Sequence, residues 1–193
     1  IAQTARVMAK QYRAAIGPAP GLGGYNSGMV LVHGTIRQRF ADGTPCAEGL
    51  AREGIIPGIK VDTGAKPLVL CPGETVTEGL DGLRERLAEY RELGARFAKW
   101  RAIMAVGRSL PSRGCIEANA QALARYAALC QEAGLVPGVE PGVLMAGEQT
   151  LGRCHDGTWE LRRAVVHLPP LQRGAPGGAT AKPNTATPDR ARP

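Results

Sequence analysis

The sequence predicts an α/β fold built on parallel strands, and three observations predict it. Short apolar runs end in an ionisable residue at near-even intervals, segments of helical periodicity lie between them, and the two clearest helices each stop at a glycine that opens the next run. The runs are Gly54-Ile-Ile-Pro-Gly-Ile-Lys60-Val, Ala95-Arg-Phe-Ala-Lys99-Trp-Arg101 and Gly134-Leu-Val-Pro-Gly-Val-Glu140-Pro, and Lys60, Lys99, Glu140 and Lys182 follow one another at 39, 41 and 42 residues. Units of strand, helix and strand join by right-handed crossovers into a parallel sheet. In a barrel of such units the C-terminal strand ends converge on one mouth, so charges placed there face each other. A complete (β/α)8 barrel takes about 250 residues, and this chain has 193. The expectation is therefore an incomplete (β/α)8 TIM barrel with about four to five parallel strands.

Each element has its own signal. Residues 1–15 read as a helix with Val7, Met8 and Tyr12 on one side, followed by the turn-rich Gly17-Pro-Ala-Pro-Gly-Leu-Gly-Gly24 and the apolar strand Gly28-Met-Val-Leu-Val-His33. After the Lys60 strand, Leu80, Leu83, Leu87, Tyr90 and Leu93 recur at spacings of three and four, with Thr75 or Thr77 as cap candidate and Gly94 as the terminating glycine. This helix joins the Lys60 strand to the Lys99 strand. A second helix over about 116–133 presents Ile116, Ala120, Leu123, Ala127 and Cys130 inward and ends at Gly134. A third, over about 148–166, carries Leu151, Trp159, Leu161 and Val165 less regularly. Residues 1–168 read as one partial barrel domain, and residues 169–193 as a Gly/Pro-rich basic extension.

Composition narrows the function. Hydrophobic residues make up 44% and charged residues 21%, with no apolar run long enough to cross a membrane and no signal-peptide pattern at the N-terminus, so a cytoplasmic protein is expected. The formal charge of +7 divides unevenly: from Arg162 onward six Lys/Arg face the single Asp189, which leaves the body nearly neutral and argues against specific nucleic-acid binding. The five cysteines, Cys46, Cys71, Cys115, Cys130 and Cys154, form no C-x-x-C pair and read as reduced thiols. With His33, His155 and His167 they make no metal-ligand spacing, so no metal and no cofactor are expected.

A single lysine at a strand end is most often a solvated rim charge. Lysines and a glutamate at one barrel mouth point instead to an anionic, carbonyl-bearing substrate. The other candidates weigh less: Asp62 and Asp81 cap or pair locally, Cys71 and Cys130 are buried or idle thiols, His33 ends a strand with a structural role favoured over one facing the mouth, and Trp100 and Trp159 fill core or rim.

The segments Gly58-Ile-Lys60-Val-Asp-Thr-Gly64, Glu74-Thr-Val-Thr-Glu-Gly-Leu-Asp-Gly-Leu83, Phe97-Ala-Lys99-Trp-Arg101, Glu117-Ala-Asn-Ala-Gln-Ala-Leu-Ala-Arg-Tyr-Ala127 and Val139-Glu140-Pro141 together resemble class I fructose-bisphosphate aldolase. Pro20-Gly-Leu-Gly-Gly-Tyr-Asn-Ser-Gly-Met-Val-Leu31 is similar to its bacterial and plant branch. The resemblance implies reversible, metal-free aldol cleavage of fructose 1,6-bisphosphate to dihydroxyacetone phosphate and glyceraldehyde 3-phosphate, the lyase step of glycolysis. It implies that Lys182, in Lys182-Pro183-Asn184, forms the Schiff base, with Lys99 the neighbour that lowers its pKa and Glu140 the general acid/base. Lys60 and Arg101 are implied to hold the phosphorylated sugar substrate, Arg101 with a fork suited to a bidentate grip.

Three departures from the family pattern set further expectations. The family's first strand, with its catalytic aspartate, has no counterpart here; the family's Glu-Pro-Glu reads Glu140-Pro141-Gly142; and the sequence stops soon after Lys182-Pro-Asn, before the last two strands. An open half-barrel is expected, its strand edges covered by the N-terminal helix, the tail or another subunit of a homo-oligomer. The alternative function is a non-catalytic truncated homologue that serves as a phosphate-binding or assembly module.

Overall fold

The structure is a computed structural model that describes residues 27–107, 109–144 and 151–166. Its elements in order are β1 (Gly28–Leu31), α1 (His33–Ile36), α2 (Cys46–Arg52), β2 (Ile56–Lys60), β3 (Gly64–Pro67), β4 (Thr75–Glu78), α3 (Leu83–Glu92), β5 (Phe97–Met104), α4 (Arg113–Glu132), β6 (Val136–Val143) and α5 (Leu151–Val166). Strands β1, β2, β5 and β6 form a four-stranded sheet in that order, every pair parallel, while β3 and β4 form a separate antiparallel hairpin. This is α/β architecture with four of the four to five parallel strands expected. The predicted helix at 1–15, the turn at 17–24, the boundary at residue 168 and the basic extension with Lys182 lie outside the described residues.

Three of the helices end alike, and their ends deliver the chain into the sheet. In α2, α3 and α4 the residues after the helix are Gly54-Ile55, Gly94-Ala95 and Gly134-Leu135, forty residues apart. Each glycine has positive φ, at 76°, 103° and 69°, and the following amide returns to a carbonyl in the last turn: Ile55 to Leu50, Ala95 to Tyr90 and Leu135 to Cys130. This double reverse bonding closes the orphan carbonyls of a helix end, and the left-handed turn it needs is cheap only for glycine. Ile55, Ala95 and Leu135 are then almost completely buried as each chain enters its strand.

Register puts two different surfaces on the sheet. Gly58 pairs with Phe97, Lys60 with Lys99, and Arg101 with Glu140, so alternation places Val30, Ile56, Phe97 and Val136 on one face with Lys60, Lys99, Arg101 and Glu140. The opposite face carries Ile59, Ala98, Trp100, Ala102 and Met104, all fully buried with Leu87, Tyr90, Leu123 and Tyr126 of α3 and α4. Trp100 belongs to this core, 5.4 Å from the Tyr126 ring. Trp159 of α5 is 58% exposed and sits at the rim.

The path from β2 to β5 departs from the expectation. The β3–β4 hairpin intervenes before the helix, and Thr75 and Thr77 are strand residues rather than helix caps. Their hydroxyls donate to the carbonyls of Ile103 at 2.8 Å and Arg101 at 3.0 Å, which ties β4 to β5. Helix α3 instead begins after Gly82, whose φ of 58° turns the chain without a side-chain cap. Helix α4 begins at Arg113, three residues before the expected start, because the Ser112 hydroxyl accepts from the Cys115 amide and caps it.

Candidate active site

Four of the five site residues named from sequence lie on one face of the sheet. Lys60 closes β2 as expected, whereas Lys99 and Arg101, third and fifth in β5, and Glu140, fifth in β6, stand inside their strands rather than at the ends, because the β5–β6 ladder runs on to Met104 and Val143. Lys99 Nζ and Glu140 Oε2 are 3.1 Å apart, with side chains 30% and 45% exposed. The pair crosses two neighbouring strands. Its members are held by sheet register rather than by one flexible loop, and this is the geometry acid/base work needs.

Lys60 has a different partner. Its Nζ lies 2.5 Å from Asp62 Oδ1 and 3.0 Å from the Asp62 carbonyl. Asp62 thus pairs locally, as read from the sequence. Arg101 is exposed and makes no ion pair with another described residue, so its guanidinium fork is open to a ligand anion. The fifth residue, Lys182, lies outside the described residues.

The supporting residues were the ones sequence reasoning missed. Asn119 of α4 is fully buried. It donates from Nδ2 to the Thr75 carbonyl at 2.9 Å and accepts at Oδ1 from the Thr77 amide at 3.2 Å. Glu74, also buried, accepts from the Ser112 amide at 2.5 Å and the Ser112 hydroxyl at 2.6 Å. Together they lock the hairpin to α4, and the hairpin in turn holds the Arg101 carbonyl. Arg86 of α3 braces the other side, donating to the carbonyls of Val61 at 3.0 Å and of Gly79. His33, expected at the end of β1, instead opens α1 after Val32, and its Nδ1 lies 2.7 Å from Tyr90 Oη. His33, Lys60, Asp62, Arg86 and Tyr90 border a cavity of about 360 Å³.

The thiols near this framework are quiet. Burial, with the neighbouring Glu74 charge adding to it, pushes Cys115 up to about 11, and burial pushes Cys130 up to about 12. Neither supplies a thiolate at neutral pH. Among the described residues no cluster of three His, Cys, Asp or Glu side chains has the grouping of a metal site, and no helix is long and apolar enough to cross a membrane.

The family model described as "Glycolytic: Fructose-bisphosphate aldolase class-I" matches residues 4–189, nearly the whole chain. The chain belongs to the class I fructose-bisphosphate aldolases. It is 59% identical over 156 residues to a probable class 1 aldolase of Xanthomonas campestris, covering 81% of this chain and 47% of that protein. It is 44% identical over 162 residues to the cytosolic fructose-bisphosphate aldolase 6 of Arabidopsis thaliana, covering 84% of this chain and 45% of that one. Among solved structures it resembles the aldolase of Plasmodium falciparum, crystallised with TRAP and a small-molecule inhibitor, at a TM-score of 0.79 and 39% identity, over 84% of this chain and 47% of the other. The chain thus spans about half the length of the curated aldolases it matches. Its sheet is part of the aldolase TIM barrel, and the single face that carries Lys60, Lys99, Arg101 and Glu140 is the face a closed barrel turns inward.

Proposed function

We propose that this chain carries one side of a class I aldolase active site, cleaving fructose 1,6-bisphosphate reversibly to dihydroxyacetone phosphate and glyceraldehyde 3-phosphate in the cytoplasm. The observation that carries the reading is the Lys99–Glu140 pair, 3.1 Å apart across adjacent strands on the face where Lys60 and Arg101 also stand. In this reading Lys182 attacks the substrate ketone and forms an iminium with loss of water. Scission of the bond between the third and fourth carbons of the sugar then leaves the electron pair in the enamine. Glu140 moves the protons, Lys99 stands as the neighbouring cation that favours the unprotonated amine of Lys182, and Arg101 and Lys60 hold the phosphorylated ends. Family membership supports the chemistry, and the register that gathers these side chains on one face supports the roles.

A coupled cleavage assay on the full chain tests this. Turnover with the native sequence and a loss of about a hundredfold or more in kcat for Glu140→Gln are expected, the usual range for a removed general acid/base. Absence of turnover, or a Glu140→Gln variant as fast as the parent, contradicts the proposal.

A further inference from the structure

We propose that Asp62 is a positioning residue for substrate binding, acting through Lys60; the inference rests on the reading of Lys60 as a ligand of the phosphorylated substrate. The Asp62 side chain is 3% exposed, whereas that of Lys60 is 39% exposed. A carboxylate removed from water to that degree is costly unless its oxygens are satisfied. Oδ1 accepts from the Lys60 ammonium at 2.5 Å and from the Gly64 amide at 3.2 Å, and Oδ2 receives a longer contact from the Arg101 amide at 3.4 Å. Asp62 lies just past the last residue of β2, where the chain turns off into the hairpin and the Thr63 amide bonds to Glu78. Its carboxylate extends the β2–β5 seam by one side chain, reaching from the Lys60 ammonium to the Arg101 backbone amide.

The consequence for Lys60 follows from its donor count. An ammonium has three N–H donors, and two of them are spent on the Asp62 carboxylate and carbonyl. One remains, with its direction set. A free lysine side chain carries rotamer entropy that must be lost when it grips a ligand; here the loss is borne in the folded protein before the ligand arrives. The same carboxylate also offsets the Lys60 charge, and that effect alone would weaken anion binding. Positioning and charge offset therefore predict opposite signs for removal of the charge at Asp62.

Equilibrium binding of fructose 1,6-bisphosphate to the full chain, together with steady-state cleavage, separates them across Asp62→Asn, Lys60→Met and the double variant, with thermal midpoints confirming that each is folded. Positioning predicts that Asp62→Asn weakens binding and raises KM about tenfold, with kcat nearly unchanged. It also predicts that the double variant is no worse than Lys60→Met alone, since residues acting through one contact are not additive. Asp62→Glu, which keeps the charge, should recover part of the loss. If Asp62→Asn binds as tightly as the parent or more tightly while Lys60→Met binds weakly, Asp62 only offsets charge and the inference is overturned. If the double variant shows the sum of the two losses, or kcat collapses with Asp62→Asn, the role is structural and the inference is likewise overturned. If Lys60→Met binds normally, the reading of Lys60 as a ligand fails first and the inference falls with it.

Discussion

Replacing Asn119 by alanine removes the side chain that bonds both Thr75 and Thr77 on the outer edge of β4. Its Nδ2 donates to the Thr75 carbonyl at 2.9 Å and to the Cys115 carbonyl at 3.0 Å, and its Oδ1 accepts from the Thr77 amide at 3.2 Å. The residue is completely buried, so water cannot take over these bonds without the hairpin lifting away. The Thr77 amide loses its acceptor outright, and the Thr75 carbonyl retains only the weak Cys115 thiol at 3.5 Å. A buried polar group left without a partner costs about 1–3 kcal/mol, so two such groups amount to about 2–6 kcal/mol, a large share of the roughly 5–15 kcal/mol available to a domain. Urea unfolding at pH 7 measures it as a lower midpoint at unchanged slope. Hydrogen exchange locates it, with the Thr77 amide expected to exchange much faster in the variant. A loss below about 0.5 kcal/mol, the range of an ordinary surface substitution, would refute the claim that Asn119 locks the hairpin, and with it the route by which Thr77 steadies Arg101.

Three further outcomes are expected. Cys115, held up at about 11 by burial, stays protonated in the folded protein while an unfolded thiol ionises near about 8.5; the stability it contributes is whole below that pH and is lost as pH rises toward 11, a fall on the order of 2 kcal/mol that urea titrations at pH 7 and pH 10 detect and Cys115→Ala abolishes. A Cβ at Gly58 would lie 2.2–2.5 Å from the Phe97 ring, so Gly58→Ala should cost about 1–3 kcal/mol through overpacking, and Phe97→Leu in the same chain should recover part of it; equal midpoints for Gly58→Ala and the parent would contradict this. At Gly142 the added Cβ meets only the Ala102 carbonyl at 3.5 Å and Arg101 Nε at 3.8 Å, so Gly142→Glu should fold normally and raise kcat severalfold by restoring a second carboxylate near Glu140, which a kcat no higher than the parent's would refute.

Much of the sheet was legible because its parallel strands announce themselves twice, by an apolar run and by the charged residue that follows it on the other face, although only Lys60 ends its strand and β5 and β6 run on past Lys99 and Glu140. Ile59, Ala98 and Trp100 bury one side while Lys60, Lys99 and Glu140 mark the other, and both signals survive in the sequence. The hairpin was not legible. Its strands are four residues each, Gly64–Pro67 includes a proline, and Thr75 and Thr77 carry the residue type that also caps helices; only the tertiary contacts to Arg101 and Ile103 show which role they take. Helix α2 has seven residues, too few for periodicity, yet Gly54 stands forty residues before Gly94 and offered the same terminating signal. At the candidate site, the charges that share one sheet face could be read from spacing. Asn119, Glu74 and Ser112 could not, because a buried polar residue is identified by its partners and those lie 38 to 44 residues away.

Schiff-base cleavage by this chain requires covalent chemistry at Lys182. Incubating the full chain with dihydroxyacetone phosphate, reducing with borohydride and mapping the peptides by mass spectrometry reads it directly. One reduced adduct on the Lys182 peptide is expected, absent in Lys182→Met and much slower to form in Lys99→Met. A chain that takes up no adduct, or one labelled at Lys60 or Lys99 while Lys182 stays free, would contradict the proposal.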